Sequence, residues 1–147
     1  VLNDWLNADH IQLCDQVTDW QEAVTLSAQP LLQRGVITAD YLTAIFQQHQ
    51  ALGPYYVLAP GIAMPHARPE EGAKALGLSL LKINQGVHFQ SEDNDPVFIV
   101  VMLSAPDSSS HIEMISQLAE LFSDSEAMEK LFLAQTKRQI EDVIANY

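Results

Sequence analysis

The stretch that most constrains the fold is Val97-Phe98-Ile99-Val100-Val101-Met102-Leu103. It is continuously apolar and rich in β-branched side chains, so it has no polar face to turn toward water. A strand of a sheet with one wet face would alternate instead. The run is also far shorter than the roughly 18 residues a membrane-crossing helix needs. It therefore reads as a strand covered on both faces, and the rest of the chain has to supply the covering layers.

Amphipathic helices flank it in the sequence. Thr18 to Arg34 reads as a helix with Trp20, Ala23, Val24 and Leu31 near one face. Thr18 and Gln21 pair as a capping box, Gly35 suits the position after the last turn, and Pro30 is expected to kink or interrupt it. Thr38 caps a second helix, which carries Tyr41, Leu42, Ile45 and Phe46 as its stripe and ends at Gly53. Short strands are expected at His10 to Cys14, at Tyr55 to Leu58 and at Gly61 to Met64. A longer strand runs from Leu76 to Ile83. Asn84-Gln85-Gly86 then turns the chain, Val87 to Phe89 pairs back, and Glu92 to Pro96 forms an acidic loop. After the apolar run, Ser110 and Glu113 form a capping box that opens a helix to Phe122, through Ile112, Ile115, Leu118 and Ala119. One helix follows Asp124 or Ser125, and another follows Thr136, with Gln139 completing a third box. Residues 1 to 10 read as a loose arm or a short helix. The expected architecture is α/β, a three-layer sandwich with a mixed sheet flanked by helices on both faces. At 147 residues, 1–147 is expected to be a single domain with a core that needs no staples.

Charge narrows the class of partner. There are 19 acidic and 7 basic side chains, a net charge of −12. That argues against nucleic acid or an anionic membrane surface, both of which call for a basic patch. It admits basic protein partners, although acidic surfaces also simply keep small proteins soluble. Cys14 is the one cysteine, which excludes an internal disulfide and suits a reducing compartment. No basic segment opens the chain ahead of an apolar one, so no secretory leader is read. The expected location is the cytoplasm.

The chemistry concentrates in Pro60-Gly61-Ile62-Ala63-Met64-Pro65-His66-Ala67-Arg68-Pro69. Pro65 fixes its own φ and steers Met64 away from helix, and Pro69 does the same to Arg68. His66 thus sits in a short loop clamped at both ends, with a guanidinium two residues on. A rigid imidazole beside a permanent positive charge suits an anion, phosphate above all. A lone loop histidine more often stabilises a turn; the two prolines and Arg68 shift the balance here. His111 is the second candidate. It falls at the first position of a helix directly after the apolar strand, where sheet proteins build sites and unpaired N–H groups face a ligand. The helix dipole favours a neutral ring at that point. The competing reading is a plain first-turn histidine.

Other chemistries fit poorly. There is no His-Glu-x-x-His, and His10, His49 and His88 lie on unrelated segments, so no metal site is assigned. No Gly-x-Ser-x-Gly elbow exists, and Ser108 to Ser110 read better as helix caps than as nucleophiles. Cys14 follows Leu13 in an apolar strand without a basic neighbour, which suits a buried structural thiol.

From Gly61 to His66 the chain resembles the enzyme IIA components of the phosphoenolpyruvate-dependent sugar phosphotransferase system, of the mannitol–fructose type. The resemblance covers two leading helices, the Pro-His loop, the strand from Val97 to Leu103 and the helix of His111. Residues Gly53 to Pro60 and Pro65 to Gly72 look most like the ascorbate-specific branch. The resemblance implies that His66 is the phosphorylated histidine and His111 its supporting second histidine. It also implies a phosphotransferase whose donor is phosphorylated HPr and whose acceptor is a cysteine of a IIB component. The attacking atom would be Nε2, with Nδ1–H held by an acceptor such as a backbone carbonyl. Relatives often carry an arginine upstream of the loop, where this chain reads Gln47-Gln48-His49-Gln50. Either Arg68 or His49 would take over that charge, or backbone N–H groups would hold the phosphate. Arg68, His49 and Ser110 are therefore assigned to phosphate or partner binding. No cofactor and no metal are implied, a homodimer is left open, and His66 should lie in a shallow, partly apolar depression. The alternative is a regulatory IIA-like module whose phosphorylation state is read by a transporter or transcription factor.

Overall fold

A computed structural model describes residues Val1 to Tyr147. The strands are β1 (Ile11–Cys14), β2 (Val57–Ala59), β3 (Ile62–Ala63), β4 (Gly77–Val87) and β5 (Val97–Ser104). The helices are α1 (Trp20–Gln33), α2 (Ala39–Leu52), α3 (Ile112–Ser123), α4 (Ser125–Leu133) and α5 (Lys137–Ile144). The apolar run forms β5, the centre of a five-stranded sheet of order β1-β4-β5-β3-β2. β1 runs parallel to β4 and β3 parallel to β5, whereas the β4–β5 and β2–β3 pairs are antiparallel.

Both faces of β5 are covered. Ile99, Val101 and Leu103 join a core with Leu118, Leu131 and Ile140 from α3, α4 and α5. Val100 and Met102 join a second core with Val24 and Leu31 of α1 and Tyr41 and Ile45 of α2. The mixed three-layer architecture expected from the sequence is thus present.

Local details differ. α1 passes through Pro30 without interruption. The carbonyl that Pro30 cannot bond, that of Leu26, accepts instead from Gln12 Nε2 on β1 at 2.8 Å, so the lost rung has a replacement. The N-cap of α1 is Asp19, not Thr18: its carboxylate accepts from Glu22 N–H at 2.9 Å, while Glu22 Oε1 accepts from Thr18 N–H at 2.9 Å. Asn84-Gln85-Gly86 does not turn the chain. These residues are a bulged stretch of β4, which pairs with β5 from Gly77↔Ser104 to Val87↔Val97 with a register shift after Lys82. The reversal comes later, in the loop after Phe89, where the Asp95 carboxylate accepts from Phe89 N–H at 2.7 Å and Ser91 N–H at 2.9 Å. The first ten residues are not a loose arm: two 3-10 turns bury Leu2 and Leu6. Burial of such a side chain is worth about 1.5–3 kcal/mol. Cys14 is half-buried, and burial, with Glu22 and Asp15 nearby, raises its thiol pKa, the direction of an unreactive cysteine.

Candidate functional site

β3 and β5 are parallel neighbours, so their carboxyl ends lie on one edge of the sheet. The chain leaving β3 is Met64-Pro65-His66, and the chain leaving β5 reaches His111 at the N-cap of α3. Topology thus brings both candidate histidines to the same edge, where loops between strands and helices build sites. No hydrogen bond joins the two rings.

His66 is half-buried. Its Nδ1 lies 2.8 Å from the Met64 carbonyl oxygen. A carbonyl only accepts, so Nδ1 carries the hydrogen and Nε2 is left with its lone pair. The loop itself is tied down on all sides. Pro65 O accepts from Leu103 N–H at 3.1 Å, and Met64 N–H donates to Tyr56 O at 2.9 Å. Tyr41, fully buried on α2, accepts from Ala67 N–H at 3.0 Å and donates to Leu103 O at 2.6 Å. Burial pushes the Tyr41 hydroxyl pKa up to about 12, so it stays a donor.

The ring of His66 opens on a depression of about 430 Å³. Leu52, Tyr55 and Ala67 give it an apolar side; Gln48, Arg68 and Glu71 give it a polar one. The Tyr55 ring meets the His66 ring edge-on at 5.9 Å between centroids. A chain of hydrogen bonds closes the rim: Tyr55 O–H donates to Gln48 Oε1 at 2.7 Å, and Gln48 Nε2 donates to Glu71 Oε1 at 2.7 Å. The same Glu71 oxygen accepts from Arg68 N–H at 3.2 Å. The guanidinium of Arg68 is exposed and forms no ion pair, which leaves it free for an anion.

His49 is elsewhere. It is 1% exposed and stacks on Trp20, with centroids 3.7 Å apart and planes 9° from parallel. Nε2–H donates to Gln90 Oε1 at 2.9 Å, and Nδ1 accepts from the Tyr56 hydroxyl at 2.6 Å. With both nitrogens engaged in the core, it cannot hold a phosphate at His66. The sequence contains the signal for this, since Tyr41, Ile45 and His49 follow one another at helical spacing on a buried face. Gln48, one position before His49 on the same helix, lines the depression instead. Tyr41 carries no such signal, because its partner Leu103 lies 62 residues away in the chain.

Ser110 does not cap α3. It is exposed, and the cap position is His111, without a side-chain hydrogen bond. The Asp107 carboxylate takes the Ser109 and Ser110 amides at 2.9 and 2.6 Å, and these bonds lower its pKa to about 2. The first-turn amides of α3 are left without a side-chain cap. His111 Nδ1 is buried with no hydrogen-bond partner. An unpaired buried N–H is the rarer and costlier orphan, so the neutral ring is best served with its hydrogen on Nε2. That arrangement makes the other edge of His111 a donor. No group of three or more metal-ligating side chains converges anywhere in the chain, and no helix is long and apolar enough to cross a membrane.

Comparison with known proteins gives this geometry a context. Residues 4–147 match the family described as phosphoenolpyruvate-dependent sugar phosphotransferase system, EIIA 2. The chain belongs to that family. A mannitol-specific cryptic phosphotransferase enzyme IIA component of Escherichia coli is 42% identical to this EIIA over 144 residues, covering 98% of the chain and 97% of the relative. An ascorbate-specific EIIA component of the same organism is 39% identical over 135 residues, covering 91% and 88%. The solution structure of the mannitol-specific cryptic enzyme IIA from Escherichia coli superposes with a TM-score of 0.92 at 40% identity, over 99% of both chains. This EIIA is accordingly a sugar phosphotransferase system protein.

Proposed function

We propose that this EIIA is a cytoplasmic phosphocarrier with His66 as its covalent acceptor. The observation that carries the reading is the Nδ1–H hydrogen bond to Met64 O, which leaves Nε2 as a nucleophile on a ring that lines the depression. Phosphorylated HPr presents its phosphohistidine to that nitrogen. The Nε2 lone pair attacks phosphorus in line, and the old P–N bond breaks with its electron pair returning to the donor imidazole. Nδ1 keeps its hydrogen, donated to Met64 O, throughout. In the second transfer a cysteine thiolate of a IIB component attacks phosphorus, the Nε2–P bond breaks, and neutral His66 is regenerated.

The protein's part is positioning and charge stabilisation. Arg68 supplies positive charge at the rim, and the Nε2–H edge of His111 with the first-turn amides of α3 supplies donors from the neighbouring strand end. Support for a IIB partner comes from a complex of enzyme IIA and phosphorylated enzyme IIB of the Escherichia coli mannitol system, whose IIA shares this fold at a TM-score of 0.81. Relatives named for mannitol and for ascorbate lie at similar identity, so the cargo of the system is a sugar or sugar-like acid chosen by its membrane subunit.

The test is incubation with phosphoenolpyruvate, enzyme I and HPr, followed by mapping of acid-labile phosphate. Wild type is expected to label on His66 and to discharge to a cognate IIB. Replacement His66→Ala should abolish labelling, and His111→Ala should slow it without abolishing it. Labelling of His66→Ala at the wild-type level would sink the reading.

A further inference from the structure

The loop of His66 is a continuation of the sheet. β3 and β5 pair as Ile62↔Ile99 and Ala63↔Val100, and the same offset sets His66 opposite Leu103. In a parallel ladder, Leu103 would donate to the carbonyl before His66 and accept from the amide after it. The first rung is present, Leu103 N–H to Pro65 O at 3.1 Å. The second is not direct. Ala67 N–H reaches the Tyr41 hydroxyl at 3.0 Å, and that hydroxyl reaches Leu103 O at 2.6 Å. One phenolic oxygen, inserted from α2, replaces the rung. Ala67 O also lies 3.3 Å from it, but the single hydroxyl hydrogen serves the shorter contact.

The insertion has a geometric consequence. A direct rung would hold Ala67 against β5 and keep His66 in the plane of the sheet. A bridging hydroxyl holds the two strands apart by the width of an oxygen while both backbone groups remain bonded. Pro65 adds to this, because it has no N–H to give the intervening rung. The chain can leave the sheet at His66 without orphaning Ala67 N–H or Leu103 C=O in a buried region.

We propose that Tyr41 is a positioning residue for His66: its hydroxyl is the inserted rung that sets the backbone on which the Met64 O–Nδ1–H bond depends. The proposal rests on the reading of His66 as the phosphoryl acceptor for its kinetic arm, but its structural arms stand without it. In wild type, the Ala67 amide should exchange with solvent more slowly than a free peptide, although no backbone group accepts from it. Long-range proton–nitrogen spectra should show wild-type His66 as the Nδ1–H tautomer, and Tyr41→Phe should mix in the other tautomer. Transfer from phospho-HPr to Tyr41→Phe should fall about tenfold in kcat with little change in KM, the effect of misplacing a reacting atom.

A Tyr41→Phe protein with the wild-type tautomer and rate would overturn the proposal. So would a wild-type Ala67 amide that exchanges at the free-peptide rate, a measurement that needs no variant to fold. Failure of wild type to accept phosphate on His66 would instead remove the carrier reading and leave the tautomer and exchange results to decide the role of Tyr41.

Discussion

The ring of His49 lies flat on Trp20 with both nitrogens bonded, and burial lowers its pKa below the ordinary 6.5. The unfolded chain then binds a proton that the folded chain refuses. Stability is therefore full above about pH 6.5 and is lost as pH falls through that value toward the lower folded pKa. His10 contributes in the same direction, its pKa lowered by burial and by Arg34. Tyr56, the other titratable group facing His49, has its hydroxyl pKa raised by burial and stays a donor throughout this range. The expected outcome is an unfolding free energy that declines from pH 7 to pH 5, and a His49→Gln protein whose decline is shallower. Equal slopes by urea titration would show that His49 titrates freely. The contrast with His66 is one of partners: an aromatic stack and two side chains hold His49 as a core group, whereas a single backbone carbonyl holds the half-buried ring of His66 and Nε2 has no hydrogen-bond partner.

Among the elements, those with a strong pattern were legible. Val97–Leu103 announced a strand covered twice, and the stripe of Tyr41 and Ile45 announced α2. The bulged stretch of β4 was not legible, because Asn84-Gln85-Gly86 has turn composition. The positive φ of Gly86, +71, and its packing against Phe98 and Pro96, at 2.9 and 3.1 Å from where its Cβ would lie, show why glycine sits in a strand. Pro30 looks like a helix breaker in the sequence for a similar reason, since its compensating donor, Gln12, comes from another element. At the site, the prolines around His66 were visible, but the hydroxyl of Tyr41 depends on a partner that sequence cannot place. The link between α2 and the His66 loop also runs through Gly72, which has φ +129 and whose carbonyl accepts from Thr38 N–H at 3.0 Å. A Cβ there would collide with the Thr38 hydroxyl and approach Tyr41 N to 3.0 Å. Gly72→Ala is expected to cost about 1–3 kcal/mol of stability and to slow phosphoryl transfer, because the strain falls on the turn that carries Tyr41. A stable variant with normal transfer would separate that turn from the site.

For the molecule as a whole, the net charge of −12 acts in two directions. Only Arg34–Asp9 and Arg138–Asp142 pair an arginine with a carboxylate, and no lysine does so. Most of the acidic groups therefore repel one another in the folded state, and added salt should raise the melting temperature by screening them. Beside the His66 depression, exposed Asp40 and Glu70 and the rim Glu71 stand against Lys74 and Arg68, so the local balance is only slightly negative. A phosphoryl donor is itself anionic and the molecule as a whole carries −12, so a protein with basic surface around its phosphoryl group is favoured as the donor. Salt should then weaken docking: KM for phospho-HPr is expected to rise with ionic strength while kcat holds, because the transfer step occurs after the charges have met. The two measurements have opposite signs in one titration, a higher melting temperature and a lower kcat/KM. A kcat/KM that is flat across the same range would mean that the protein's charge takes no part in recognising the donor.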